Sequence, residues 1–171
     1  MKLAPLIAAL ALAGCQSAMQ TSSDEAARAT AQLKPTQGNK AVGEATLEDS
    51  GSGQLHLVVI VHGLKPNSEH GFHIHEKGDC SSGDGMSAGG HFNPTGQPHG
   101  NPMAGAHHAG DLPALKADAK GVAKLDTSVS GLAVSSIVGR GLIVHADPDD
   151  YKTQPTGNSG ARVACGVIQP G

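Results

Sequence analysis

The sequence predicts an all-β domain of eight antiparallel strands, a sandwich or flattened barrel interrupted by a long loop. Three observations carry that expectation. Apolar and polar residues alternate in short runs bounded by turn residues, as half-buried strands require. No stretch shows convincing amphipathic helical spacing. Of 171 residues, 24 are glycine and 10 proline, while aromatics make up 2% with no tryptophan, so the core must be aliphatic and much of the chain must be turn.

Taken in order, residues 28–33 form a weak candidate strand, closed by Pro35-Thr36-Gln37-Gly38-Asn39. Residues 42–48 form a better one, ended by Asp49-Ser50-Gly51-Ser52-Gly53. Residues 54–62 give the strongest pattern, with Leu55, Leu57, Val59 and Val61 on one face. His56 and His62 share the other face and are expected to be exposed. Residues 69–75 make the next strand, and regular structure then ceases until Asp111. A loop of this length in a compact domain is usually functional, and something other than a core must organise it. Strands resume at 112–117, 122–129, 140–146 and 161–168, with a turn at Asp118-Ala119-Lys120-Gly121. This pattern fits an antiparallel sandwich or barrel.

The histidines, ten in all, are where chemistry is expected. His73 and His75 are separated by one apolar residue in a strand, so both rings lie on one face, about 7 Å apart along the backbone. His91, His99, His108 and Asp111 follow in the loop, and His145 ends an apolar strand. Three imidazoles and a carboxylate (His91, His99, His108, Asp111) suit a closed tetrahedral zinc site. Four imidazoles (His73, His75, His91, His145) suit copper(II) in a flattened geometry. His91 would serve both ions, one through each ring nitrogen, which requires loss of both ring protons between two cations. His107 competes with His108, but only His108 keeps the His-x-x-Asp spacing. His70 is read as a loop residue.

Charge excludes one class of partner. A net charge of -3 leaves no basic footprint, and nothing interleaves basic with aromatic residues, so no nucleic acid is expected.

The first residues read as a targeting segment. Lys2 precedes an apolar run, residues 3–12, too short to span a bilayer, which fits a signal peptide over residues 1–14. Leu12-Ala13-Gly14-Cys15 resembles the bacterial lipoprotein processing box, which makes Cys15 the lipidated residue; ordinary cleavage after Ala13 is the alternative. Residues 15–25 then form a lipidated cysteine and polar tether, and residues 26–171 the folded domain. Three cysteines leave an odd one in an exported protein. With Cys15 lipidated, Cys80 and Cys165 remain to pair, closing a span worth about 4.5 kcal/mol on the chain-entropy model.

Five segments together resemble the exported bacterial copper/zinc superoxide dismutases. They are Gly71-Phe72-His73-Ile74-His75-Glu76-Lys77-Gly78-Asp79; Ala88-Gly89-Gly90-His91-Phe92-Asn93-Pro94; His108-Ala109-Gly110-Asp111-Leu112; Gly139-Arg140-Gly141-Leu142-Ile143-Val144-His145; and the run from Gly157 to Ile168 that carries Arg162 and Cys165. The resemblance implies an eight-stranded Greek-key barrel or sandwich with long metal-binding loops. It implies conversion of superoxide to oxygen and hydrogen peroxide, with one copper and one zinc per subunit, as antioxidant defence in the cell envelope. By resemblance His73, His75, His91 and His145 hold copper, His91, His99, His108 and Asp111 hold zinc, and Cys80 pairs with Cys165. Asp149 matches the family's aspartate that joins a copper histidine to a zinc histidine. The resemblance further implies that copper cycles between two oxidation states and that His91 takes and returns a proton, and Arg162 would set a fixed cation beside the open copper position.

The segment from Asp149 to Gly160 is shorter than in animal members and carries only Lys152 as a cation, so substrate guidance rests on Arg162 with Lys77 and Lys152 as contributors. The expected location is the periplasm, anchored to a membrane through Cys15; Gln16 after the cysteine leans towards the outer membrane. Monomer and homodimer both stay open. A lipid-anchored metal store and a zinc-only surface domain are the rival readings, and the presence of every copper ligand together with Arg162 disfavours both.

Overall fold

The computed structural model describes residues 27–171. The signal peptide read over 1–14 and the Cys15 tether read over 15–25 lie outside the described residues. Among the described residues nine strands form, β1 (Arg28–Pro35), β2 (Val42–Ser50), β3 (Gln54–His62), β4 (Glu69–His70), β5 (Phe72–His75), β6 (Leu115–Lys116), β7 (Ala123–Ser130), β8 (Gly141–His145) and β9 (Arg162–Pro170), with one α-helical turn, α1 (Val134–Ile137), and a 3-10 turn at Met86–Ala88.

All pairings are antiparallel. Seven strands make one sheet in the order β5-β8-β9-β1-β2-β3-β7, and β4 pairs with β6. Ala117 bridges to Ala123 beside β7, and only Gly71 separates β4 from β5, so the sheet curls round into a flattened barrel. The chain passes from β3 to β5, near opposite ends of the strand order, and this crossover is of Greek-key type.

Alternation sets the core, as the sequence predicts. In β3 Leu55, Leu57, Val59 and Val61 are buried, while Val58 and His62 face outward. Ala29, Ala31 and Leu33 of β1, Ala45 and Leu47 of β2, and Ile168 of β9 meet them in one aliphatic cluster. Truncating one of these, such as Leu57→Ala, removes about 2–5 kcal/mol.

The strands that differ from this rule position the site. In β5 all four residues are buried. Phe72 and Ile74 point into the aliphatic core, which leaves His73 and His75 on the outer face, covered by the following loop. Leu142 and Val144 of β8 point the same way into the core. Ile143 instead joins Ala88, Cys165 and Cys80 in a small outer cluster, and His145 shares its face. Burial on both faces of β5 and β8 therefore comes from the long loop packed outside the barrel.

Three details depart from the expected element list. The predicted strand 69–75 breaks at Gly71, because β4 pairs with β6 and β5 with β8, so the chain changes partners there. The predicted strand 112–117 contracts to Leu115–Lys116, since the Ala114 N–H is taken by Tyr151 Oη at 3.0 Å. The turn α1 was not expected; the Val134 N–H at its start donates to Asp49 Oδ1 at 2.8 Å. No helix among the described residues is long and apolar enough to cross a membrane.

Candidate metal centre

Edge strand β5 recruits the loop by main-chain pairing. The Ile74 N–H donates to Gly110 O, and the Phe92 N–H to Ile74 O, each at 2.8 Å. These contacts set His91 opposite His75 and Asp111 opposite His73 as isolated bridges. Gly110 is required here, since a Cβ on it would strike the carbonyl of Ile74. Two loop residues separated by twenty positions are thus delivered to the two strand histidines, and the otherwise unpaired edge of β5 is covered.

Two groups of converging ligand atoms result. His73, His75, His91 and His145 make one, and His91, His99, His108 and Asp111 the other; all seven residues are buried, and within each group the ligand atoms lie within 4.8 Å of one another. In the second group Asp111 Oδ1 lies 2.9 Å from His91 Nδ1, 3.0 Å from His99 Nδ1 and 3.4 Å from His108 Nδ1. In the first, His75 Nε2 and His145 Nε2 approach to 3.4 Å. His73 Nδ1 and His91 Nε2 are buried there without a hydrogen-bond partner among the described residues. Buried nitrogens seldom go unpaired, and both donor sets fit a metal ion: four imidazoles for one, three imidazoles and a carboxylate for the other.

Asp149 joins the groups. Its Oδ2 accepts from His73 Nε2 at 2.7 Å and its Oδ1 from His99 Nε2 at 2.9 Å. The Tyr151 N–H also donates to Oδ1, at 2.7 Å. Gly157, at φ +65°, lies directly against this carboxylate and His99, and a side chain there would displace both. Holding Nε2 of His73 as a donor leaves Nδ1 free as an acceptor, which is the tautomer a metal requires.

The titration pattern follows from these surroundings. Burial lowers His73 to about 4, only partly opposed by its bond to Asp149. Burial and then the charge of His73 lower His145 to about 3. Burial, the charge of His91 and that of Arg162 hold His75 far below neutral. His99 goes the other way: burial opposes its charge, but bonds to Asp111 and Asp149 prevail and raise it to about 9. Burial would raise Asp111 and Asp149 too, yet their histidine partners hold both well below the ordinary carboxylate range.

Arg162 lies within electrostatic reach of the all-imidazole group. Its Nη1 and Nη2 each donate at 2.6 Å, to Gly85 O and Gly89 O. These carbonyls belong to the loop tied down by the disulfide Cys80–Cys165, whose Cα atoms are 5.8 Å apart. The cation is half-buried, and its field reaches both His75 and His145.

His107 stays outside both groups, its Nδ1 donating to His108 O at 2.7 Å, in keeping with the spacing argument. His56 pairs with Asp126 on the outer face, away from the metal groups. His70 corrects the expectation of a loop residue. It lies buried in β4, with Nδ1 donating to His145 O at 2.8 Å and Nε2 2.7 Å from Ser68 Oγ, and so braces the strand end that carries His145. Gln154 and Tyr151 were missed altogether. Only their place near Asp149 in a turn-rich segment could have drawn attention to them.

Comparison with known proteins agrees with this geometry. Residues 41–168 match the family described as copper/zinc superoxide dismutase. The chain is 40% identical over 166 residues to superoxide dismutase [Cu-Zn] 2 of Aquifex aeolicus, covering 92% of this chain and 96% of that protein. It is 43% identical over 139 residues to the superoxide dismutase-like protein YojM of Bacillus subtilis, covering 75% and 70%. It is also 43% identical over 136 residues to superoxide dismutase [Cu-Zn] of Candida glabrata, covering 74% and 88%. A solved crystal structure of the clock protein EA4 superposes with a TM-score of 0.76 at 38% identity, covering 83% of this chain and 93% of that one.

Proposed function

Since this chain belongs to the copper/zinc superoxide dismutase family and is an enzyme of that class, we propose the following division of labour among its residues. His73 Nδ1 and the Nε2 atoms of His75, His91 and His145 hold copper, and the Nδ1 atoms of His91, His99 and His108 with Asp111 hold zinc. The observation that carries this assignment is the pair of buried, unpartnered nitrogens, His73 Nδ1 and His91 Nε2, aimed into the all-imidazole group. When bound, copper supplies the one-electron redox chemistry that turns superoxide into oxygen and hydrogen peroxide, and zinc fixes the loop.

The chain's own residues supply the rest. Arg162 keeps its charge at any working pH, and its grip on Gly85 O and Gly89 O holds that charge within reach of His75 and His145, where it draws in and orients a small anion. Among the described residues, His91 alone is common to both groups. Its Nδ1 faces Asp111 and the zinc set; its Nε2 would take a proton in the half-cycle in which it is released from copper, and would give up that proton, one of the two in the peroxide product, on returning to the metal. Asp149 keeps the His73 and His99 rings in the tautomers this requires.

The setting proposed for this activity is the cell envelope. Lys2, the apolar run and Cys15 support export with a lipid on Cys15, placing the domain in the periplasm on a membrane, and Gln16 favours the outer membrane. Antioxidant defence in that compartment is the corresponding role. Copper and zinc content measured with superoxide-dependent activity on the purified protein tests the enzymatic assignment. One of each metal per chain with activity is expected; an inactive protein with both metals bound would overturn it.

A further inference from the structure

We infer that Gln154 is a positioning residue for His99, coupling the zinc group to the segment that follows β8; the inference rests on the proposed zinc assignment. Gln154 Oε1 accepts from the His99 N–H at 2.8 Å, and Gln154 Nε2 donates to His99 O at 2.9 Å. A carboxamide carries one acceptor and two donors, and here it satisfies both main-chain groups of a single residue, as a neighbouring strand would. The second donor reaches Lys152 O at 3.2 Å, which ties the clamp to its own turn.

His99 sits in the irregular part of the loop, between Pro98 and Gly100, with no strand to hold its backbone. Its ring is fixed at Nε2 by Asp149, and its main chain by Gln154, so one segment grips His99 at both ends of the residue. That segment is itself closed by short-range bonds, Thr153 Oγ1 to Asp150 Oδ2 at 2.6 Å and the Gly157 N–H to Thr153 O at 2.7 Å. A ligand held by a preset backbone binds its metal without first ordering the loop. By linkage, metal on His99 must order the segment from Asp150 to Gly157 in return.

The test uses the full protein and its Gln154→Ala and Gln154→Glu variants, stripped of metal and titrated with zinc against a competing chelator. The glutamate variant keeps the volume and the acceptor opposite the His99 N–H, but sets a carboxylate oxygen against His99 O, so it remains informative should the alanine variant fold poorly. Zinc affinity is expected to fall about 10-fold in each, as for other residues that orient metal ligands. The metal-free variants are expected to unfold at a somewhat lower temperature than the wild type, since the clamp's hydrogen bonds are made without metal, and amide exchange over Asp150–Gly157 is expected to slow on zinc binding in the wild type and much less in the variants. A residue with a purely structural role would lower metal-free stability and leave the zinc dependence of that exchange intact. Wild-type zinc affinity in both variants would overturn the inference while leaving the ligand assignment standing. A wild-type protein that takes up no zinc would overturn the assignment and this inference together.

Discussion

Asp149 Oδ2 accepts a hydrogen bond from His73 Nε2 at 2.7 Å, with both side chains fully buried, while the other carboxylate oxygen receives His99. One residue thereby sets the ring orientation of a member of each metal group. An asparagine there turns an N–H towards one imidazole, which loses its partner, and leaves the other with a neutral and weaker acceptor in place of a carboxylate oxygen, so both rings are less firmly held. Asp149→Asn is expected to weaken both copper and zinc binding, by about 10- to 100-fold at the more affected site. Competition titrations of each metal check this, and a loss confined to one metal with the other at wild-type affinity would remove the bridging role.

The two groups are also expected to answer pH differently in the metal-free protein. His99, raised to about 9, carries a proton at neutral pH that metal must displace. His73 and His145, lowered to about 4 and about 3, carry none. Zinc affinity should therefore climb with pH towards about 9, and calorimetry at neutral pH in buffers of different ionisation enthalpy should register about one proton released from His99. The stability signs follow. The raised His99 stabilises the metal-free fold fully below the ordinary histidine value of 6.5, and that contribution is lost as pH rises through about 9. The lowered His73 and His145 withhold stability as pH falls from 6.5 towards about 4, where unfolded rings take protons that folded ones refuse. Zinc affinity that stays level between pH 6.5 and 9 would contradict the ionised His99.

Arg162 is proposed as the fixed positive charge that guides substrate in a chain whose net charge is -3. Superoxide dismutases work near the diffusional ceiling, where local potential governs encounter. Arg162→Ala is expected to keep its metals and to lower the second-order rate by roughly one order of magnitude. Its rate should also fall less steeply with ionic strength, since less attraction remains to be screened. Stopped-flow rates across a salt series decide the matter; an unchanged rate and slope would pass the guiding role to Lys77 and Lys152.

How far the sequence discloses this molecule depends on what holds each part together. The alternation of Leu55, Leu57, Val59 and Val61 is a local property, and it marks β3 directly. The histidine spacing and the five family-like segments name the two metal groups, because ligand identity and order are written along the chain. Tertiary pairings are not. Gly71 ends one strand and begins another only because Glu69–His70 and Phe72–His75 find different partners, β6 and β8. His70 reads as a loop residue until the carbonyl of His145 is seen against its ring. The turn Val134–Ile137 is too short to show a helical period, and its cap comes from Asp49, far away in sequence. Gln154 has no local signature, since its partner His99 is 55 residues away.

The proposed lipid anchor is tested at Cys15. With lipid on its thiol, the wild-type protein partitions into detergent and carries an acyl mass, and Cys15→Ser loses both. A mature protein that begins at Gly14 with a free Cys15 thiol would establish ordinary secretion instead.

The central claim is that His91 serves two metals at once, through Nδ1 on the Asp111 side and Nε2 on the side of His73, His75 and His145. The most direct measurement is the copper spectrum and the zinc content of His91→Ala beside His99→Ala. The account predicts that His91→Ala disturbs the copper spectrum and lowers zinc content together, whereas His99→Ala chiefly lowers zinc and leaves the copper spectrum close to that of the wild type. A His91→Ala protein with a normal copper spectrum and full zinc content would contradict it.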